Sequence, residues 1–169
     1  MPAARLFRRF NISIISACLL LLALSLSFFS TRSICGDEKK SADPWPASQT
    51  VLPADLAREL AENSEAPPVV VYVGFHTLFA GGHIPGASFH GSASTEQGLA
   101  ELKKWAESLP RSANLVIYCG CCPFERCPNI RPAFTALDLM GFKKLRVLVL
   151  PTNFATDWVD KDYPIQRGM

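Results

Sequence analysis

The chain has 169 residues, six of them cysteine, with 17 lysines and arginines against 15 aspartates and glutamates and a net charge of +2. Residues 1–35 hold four arginines and no acid, which leaves 13 basic against 15 acidic residues in 36–169, a net charge of about −2. No basic stripe remains to bind nucleic acid, and the length allows one domain with an export segment rather than two comparable domains.

The N-terminal region is predicted to carry an export signal. Residues 11–30 contain no charged side chain, and three arginines precede them. About 20 apolar residues span a bilayer, and flanking arginines stay in the cytoplasm, so the rest of the chain is expected to be exported to a periplasmic or other extracytoplasmic site. Residues 1–35 are either a cleaved signal peptide or a membrane anchor, and both alternatives stay open. Residues 36–50 are polar and punctuated by proline, which is typical of a linker.

From residue 51 onward helical and strand patterns alternate, which predicts an α/β domain over 51–169 with a mainly parallel sheet and crossover helices. Short apolar runs indicate strands, and apolar residues spaced by three and four indicate helices. In chain order we predict a helix over 53–63, strand 69–73, helix 96–109, strand 115–118, helix 132–140, strand 145–150 and a short helix over 154–160. Gly141 is expected to end the helix before it, and Thr152 or Asn153 to cap the last one.

The loop after the second predicted strand carries the chemistry. Cys119 follows that strand directly and precedes a helix, whose unpaired N–H groups and positive dipole end favour an anion. We therefore expect the pKa of Cys119 to be lowered and its sulfur to be a nucleophile. Gly120 is expected to allow a tight turn beside the sulfur, and Arg126 and Arg131 to add positive charge.

Three further cysteines share this loop, at positions 121, 122 and 127. A secreted disulfide framework spreads its cysteines along the chain, whereas this cluster concentrates thiols at one place. Cys121, Cys122 and Cys127 could form a structural disulfide, resolve a sulfur adduct on Cys119, or gather a soft metal ion. Because C-x-C-C-x4-C is not a regular zinc spacing, we predict neither a metal nor another cofactor.

The loop resembles the active-site stretch of the rhodanese family, in which a strand ends at the catalytic cysteine. Residues 82–87, GHIPGA, match the family signature, and Gly141-Phe142, Trp158 and Tyr163-Pro164 resemble its closing pattern. The resemblance covers about residues 50–168 and implies a three-layer domain with a central sheet flanked by helices. It further implies a sulfurtransferase that forms a persulfide on Cys119 and acts on a small sulfur-containing anion and a thiol or cyanide acceptor. The substrate-binding residues would be Gly120, Cys121, Cys122, Arg126 and Arg131.

Three features depart from the family pattern. Tyr72 and Gly74 stand where the family usually has Asp-x-Arg, and the helix is predicted to start at Pro132, farther from Cys119 than usual. The extra cysteines are the third departure. They keep two other functions open: a thiol–disulfide oxidoreductase, and a non-catalytic module that binds a metal or a partner through the cysteine loop. A thiol phosphatase or arsenate reductase fits less well, because neither Cys119 nor Cys121 has the expected spacing to Arg126.

Overall fold

A computed structural model describes residues 46–62 and 66–168. The predicted export segment, residues 1–35, and most of the predicted linker lie outside these ranges. The last linker residues belong to the folded domain, because a 3₁₀ turn covers Ala47–Gln49 and the first strand starts at Thr50. None of the helices in the described ranges has the length and apolar character needed to cross a bilayer.

Five parallel strands form one sheet in the order β1-β5-β4-β2-β3. They are β1 (Thr50–Val51), β2 (Val69–Tyr72), β3 (Ser88–Phe89), β4 (Asn114–Tyr118) and β5 (Lys144–Leu148). The central strand β4 pairs with β2, Val116 opposite Val70, and with β5, Val116 opposite Arg146. Strands buried on both faces are continuously apolar, which explains the sequences VVVY in β2 and NLVIY in β4.

Helices cover both faces of the sheet, which gives three layers. They are α1 (Pro53–Ala61), α2 (His76–Gly81), α3 (Glu96–Ala106), α4 (Ile130–Leu139) and α5 (Phe154–Asp157). One core cluster joins α3 and α4 to the face of β2 that carries Val71, and the other joins α1 and α2 to the face that carries Val70. Because strand side chains alternate between faces, Cys119 points to the α3–α4 side together with Ile117.

The predicted α/β architecture is confirmed, and the differences lie at element boundaries and in three short elements. Helix α4 starts at Ile130 rather than at Pro132, because a proline is tolerated throughout the first helical turn, where N–H groups lack intrahelical partners. Asn153 caps α5 by accepting a hydrogen bond from the Thr156 N–H, and Gly141 ends α4 with a φ of 89°. The two-residue strands β1 and β3 and the six-residue helix α2 were not predicted, since such short elements carry no measurable periodicity.

Candidate active site

The four loop cysteines lie at the carboxyl edge of the sheet, where parallel α/β folds bind their ligands. Cys119 follows the last residue of β4, and the loop then runs through a 3₁₀ turn at Phe124–Arg126 before α4 begins. Phe124 N–H donates to the carbonyl of Leu150, and Phe154 N–H donates to that of Gly120. These bonds fix the beginning and the middle of the loop to the segment that follows β5.

The Cys119 sulfur is buried, with 4% of the residue exposed, and lies among polar groups. Its Sγ is 3.3 Å from the Sγ of Cys121 and 3.6 Å from Nδ2 of Asn129. The backbone N–H of Cys121 also donates to it. The predicted amide surroundings of this sulfur are therefore present, although they are provided by one side chain and one loop N–H rather than by the end of α4.

Asn129 is fully buried, and its network fixes the orientation of its side-chain amide. Oδ1 accepts hydrogen bonds from the Ser94 N–H at 2.9 Å and from the Ser92 hydroxyl at 3.0 Å. A backbone N–H can only donate, so the atom facing Ser94 must be the oxygen and the atom facing Cys119 must be the NH₂ group. Asn129 thus presents a donor to the sulfur, which stabilises negative charge there.

The thiol with the lowered pKa is Cys127, and the expectation that Cys119 would be that thiol was wrong. The hydrogen bond shared by the Cys119 and Cys127 thiols, together with the N–H groups of Asn129 and Ile130 that point at the Cys127 sulfur, lowers the pKa of Cys127 to about 6. The same hydrogen bond, together with burial, raises the pKa of Cys119. The physical reason is the contact between the two sulfurs, to which the first N–H groups at the start of α4 add beside Cys127.

Three sulfurs form one cluster, since the Sγ atoms of Cys119, Cys121 and Cys127 all lie within 4.8 Å of one another. The Cys122 Sγ is 3.3 Å from that of Cys121 but lies outside this mutual group. Burial raises the pKa of Cys122. All four are free thiols in this structure. The loop therefore holds a coupled set of thiols, with one favoured thiolate at Cys127.

Tyr72 lies on the other side of Cys119. Its hydroxyl is buried and makes no hydrogen bond, although the Phe75 N–H approaches it, and burial raises its pKa. A Cβ placed on Gly74 would lie 2.5 Å from this hydroxyl oxygen and 2.9 Å from the Cys119 Sγ. Gly74 is therefore the residue that lets the phenol and the thiol approach each other. Both positions were noted in the sequence only as departures from the rhodanese pattern.

A cavity of about 380 Å³ opens beside the cluster, between α2 and α5. Gly120 and Cys121 form its inner end, and Tyr72, Phe154 and Arg167 are among its other lining residues. A Cβ on Gly120 would collide with the Cβ of Phe154, so glycine is needed there for close packing against α5. The φ of Gly120 is not positive, so this glycine does not form the left-handed turn that would require one. The cavity is largely apolar with one cationic side chain.

The two predicted arginines do not line this cavity. Arg126 is exposed on the 3₁₀ turn, and Arg131 is half-buried in the first turn of α4, where it interacts with other groups. Arg167, near the end of the chain, lines the cavity instead. The structure brings together Cys119, Gly120 and the other three loop cysteines, and adds Asn129, Tyr72 and Arg167, which the sequence did not single out as site residues.

The GHIPGA signature has a structural role. The His83 Nδ1 lies 2.9 Å from the carbonyl oxygen of Phe79, and its ring stacks on Phe79 with centroids 3.9 Å apart. The Ile84 N–H donates to the Tyr118 hydroxyl at 3.1 Å. Since Tyr118 is the last residue of β4, the signature segment packs against the strand end that presents Cys119.

Comparison with solved structures identifies the fold. The rhodanese-like domain of an Anabaena protein is 20% identical, with 72% of this chain and 80% of that chain covered and a TM-score of 0.52. A Bacillus halodurans protein is 18% identical over 71% and 77%, with a TM-score of 0.56. A thiosulfate sulfurtransferase from Pseudomonas aeruginosa is 24% identical, with 73% of this chain but only 20% of that chain covered and a TM-score of 0.53. No protein-family model and no curated protein sequence matches the chain. The chain has the rhodanese-like fold.

Proposed function

We propose, from the rhodanese-like fold and the thiol cluster at its sheet edge, that the protein is a sulfurtransferase that carries sulfane sulfur as a persulfide on Cys119. The observation that supports this most directly is the contact between Cys119 and Cys127. A buried thiol is a poor nucleophile by itself, but the Cys119 sulfur lies within 4.8 Å of the Cys127 sulfur and shares a hydrogen bond with this thiol, whose pKa is lowered. Cys127 therefore acts as the general base that activates Cys119.

The first step is a displacement at the sulfane sulfur of a donor such as thiosulfate. The Cys119 sulfur forms a bond to the outer sulfur, the S–S bond of thiosulfate breaks, and sulfite leaves with the bonding electron pair. The proton of Cys119 passes to the Cys127 thiolate. The products are a Cys119 persulfide anion, the Cys127 thiol and sulfite, so charge and atoms balance.

The surroundings of Cys119 stabilise the charge of the persulfide. The Cys121 N–H and the Asn129 amide donate to the attacking sulfur. Tyr72 is one of the residues that line the cavity, and its buried hydroxyl, which has no hydrogen-bond partner and lies near Cys119, is available to donate to a sulfur added there. Preorganised donors of this kind are a major source of rate enhancement where negative charge develops.

The second step returns the cluster to its starting state. An acceptor such as cyanide or a thiolate attacks the outer sulfur, the persulfide S–S bond breaks, and Cys119 recovers its proton from Cys127. With cyanide, the products are thiocyanate, the Cys119 thiol and the Cys127 thiolate. Cys121, which lines the cavity, is the first thiol that a donor or acceptor meets on its way to the buried Cys119.

We further propose that the domain works outside the cytoplasm, in the periplasm or at the membrane surface. Support comes from the uncharged segment 11–30 and the three arginines before it, which favour export with the N-terminus retained in the cytoplasm. If the segment is uncleaved, it anchors the domain. Fractionation of cells that express the full chain, with protease added to intact and to permeabilised cells, tests this location.

A thiosulfate–cyanide assay tests the activity. We expect thiocyanate from the wild-type chain and none from Cys119→Ser. Cys127→Ser should retain a slow reaction whose pH profile moves upward from about 6 toward 9.0, the ordinary thiol value, because the base is lost. Cys122→Ser is the matched control, since it removes a loop thiol outside the three-sulfur group, and should stay within about twofold of wild type. Equal rates for Cys119→Ser and Cys122→Ser would eliminate Cys119 as the sulfur carrier.

A dithiol–disulfide oxidoreductase is the second candidate, favoured by the 3.3 Å between the sulfurs of Cys119 and Cys121. In that reaction two thiols are oxidised while a substrate disulfide is reduced to two thiols. Equilibration with glutathione redox buffers, followed by thiol counting and peptide mapping, separates the two functions. An oxidoreductase forms a reversible Cys119–Cys121 disulfide and gives no thiocyanate.

A further inference from the structure

Cys119, Cys121 and Cys127 have the arrangement of a preformed three-ligand site. Their Sγ atoms lie within 4.8 Å of one another. Three sulfurs bonded to one ion at about 2.3 Å each in a trigonal plane are about 4 Å apart, so this limit is compatible with a shared ion. Two of the residues are almost fully buried, with 4% of Cys119 and 2% of Cys127 exposed. Cys121 faces the cavity, which supplies a route for an ion to enter.

The donor set favours one class of ion. Thiolate sulfur binds soft ions such as Cu(I), zinc and iron–sulfur centres, whereas calcium and magnesium require oxygen. Structural zinc takes four protein ligands, and within the described part of the chain the mutual group consists of three sulfurs without a histidine or carboxylate. Cu(I) is stable with three sulfurs in a trigonal plane, so it matches the number of ligands.

The surroundings can carry the negative charge of such a centre. Cys119 receives hydrogen bonds from the Asn129 amide and from the Cys121 N–H. Cys127 receives them from the N–H groups of Asn129 and Ile130 at the start of α4. Donors to ligating sulfurs are the outer groups that orient and tune a metal site.

We infer that Cys119, Cys121 and Cys127 form a trigonal three-sulfur site for one Cu(I) ion. Copper binding does not require the proposed sulfur transfer, but both processes use the sulfur atom of Cys119. Bound copper therefore blocks persulfide formation, and a persulfide on Cys119 weakens copper binding. If the proposed transferase function holds, the protein loses this activity when Cu(I) is present, so its activity depends on the copper concentration around it.

The experiment uses the full chain in detergent with Cys18 and Cys35 replaced by serine, so that the loop supplies all thiols. The reduced protein is titrated anaerobically with Cu(I) against a chromophoric Cu(I) chelator, and sulfur coordination is counted by X-ray absorption. We expect one Cu(I) per chain with three sulfur ligands. Zn(II) at the same concentration should not displace it.

Single substitutions then assign the ligands. Cys119→Ser, Cys121→Ser and Cys127→Ser should each weaken Cu(I) binding by about 100-fold or more, since loss of an outer-shell partner alone costs 10–100-fold. The control Cys122→Ser should bind one Cu(I) with wild-type affinity. A loss with Cys122→Ser as large as with Cys127→Ser, or coordination by only two sulfurs, would overturn the assignment.

A measurement on the unsubstituted loop keeps the inference testable if a variant fails to fold. One equivalent of Cu(I) should protect Cys119, Cys121 and Cys127 from alkylation at alkaline pH, while Cys122 is alkylated at the same rate as in the copper-free protein, as mapped by mass spectrometry of the loop peptide. Protection of Cys121 and Cys122 alone would contradict the site. Copper binding in a chain that gives no thiocyanate would leave this inference standing and remove the proposed transferase function.

Discussion

Replacing Asn129 with aspartate changes the polarity of a single atom beside the reactive sulfur. One carboxylate oxygen keeps the position of Oδ1 and still accepts from the Ser94 N–H and the Ser92 hydroxyl. The other takes the place of Nδ2, 3.6 Å from the Cys119 Sγ, so a hydrogen-bond donor becomes an anion. The shape of the side chain and its two accepted bonds are unchanged.

The size of the effect follows from that distance. Two unit negative charges 3.6 Å apart repel by about 4.6 kcal/mol at an effective dielectric of about 20, which corresponds to roughly 3.4 pH units. The new carboxylate relieves part of this repulsion by taking up a proton, because the two groups titrate together. We therefore expect Asn129→Asp to raise the pH at which the Cys119–Cys127 pair becomes reactive by about 2 units.

The assay is the rate of alkylation by iodoacetamide as a function of pH, with the modified cysteines mapped by mass spectrometry. Wild type should reach half its maximal rate near pH 6, the lowered pKa of Cys127, and Asn129→Asp near pH 8. Asn114→Asp, which adds the same charge at the opposite end of β4, should leave the profile unchanged. Identical profiles for Asn129→Asp and wild type would refute the role of the amide donor.

Stability distinguishes this effect from unfolding. At about pH 5, where a buried carboxyl beside a sulfur stays protonated, Asn129→Asp keeps both accepted hydrogen bonds and adds no buried charge, so the free energy of unfolding in urea should change by about 1 kcal/mol or less. Asn129→Ala removes them and leaves the part-buried Ser94 N–H without this acceptor, which should cost about 1–3 kcal/mol. A loss of that size for Asn129→Asp would mean that its reactivity reflects a damaged fold.

Three further predictions address the surroundings of the site and the stability of the domain. Tyr72→Phe removes a buried hydroxyl that lacks a partner, so the free energy of unfolding should stay the same or rise by about 1 kcal/mol. The kcat/KM for thiosulfate should fall roughly tenfold, and an unchanged kcat/KM would exclude the phenol from catalysis. Gly74→Ala places a methyl group 2.5 Å from that hydroxyl and 2.9 Å from the Cys119 Sγ. The free energy of unfolding in urea should fall by about 1–3 kcal/mol and thiocyanate should form more slowly, whereas wild-type stability would contradict this packing. Arg146 donates two 2.7 Å hydrogen bonds to Glu59 and lowers the pKa of that carboxyl. The free energy of unfolding should therefore decrease as the pH falls from about 5 through the lowered pKa, and Arg146→Met should flatten this dependence.

The sequence was sufficient to predict the architecture because each main strand and helix is long enough to show its period. Val69–Tyr72 and Asn114–Tyr118 are apolar runs buried in a parallel sheet, and the helices between strands show one apolar face. The position of Cys119 at the end of β4 also followed from the pattern. These features depend on neighbours within one element, which is the information that periodicity contains.

The distribution of charge among the thiols depends on long-range contacts and could not be predicted in this way. Asn129 is oriented by Ser92 and Ser94, which lie 37 and 35 residues earlier in the chain. The sequence assigned the low pKa to Cys119 because it shows neither the contact between the Cys119 and Cys127 sulfurs nor the start of α4 at Ile130, which brings the N–H groups of Asn129 and Ile130 to Cys127. Arg167 reaches the cavity only through the path of the C-terminal segment.

The central claim is that Cys119 carries the transferred sulfur while Cys127 takes its proton. The most direct measurement is intact-mass and peptide mass spectrometry of the reduced full-length chain after a stoichiometric amount of thiosulfate. We predict a gain of roughly 32 Da, one sulfur atom, on the peptide position of Cys119, with one sulfite released per chain. An adduct found on Cys121 or Cys127 in wild type, or one that persists undiminished in Cys119→Ser, would contradict the account.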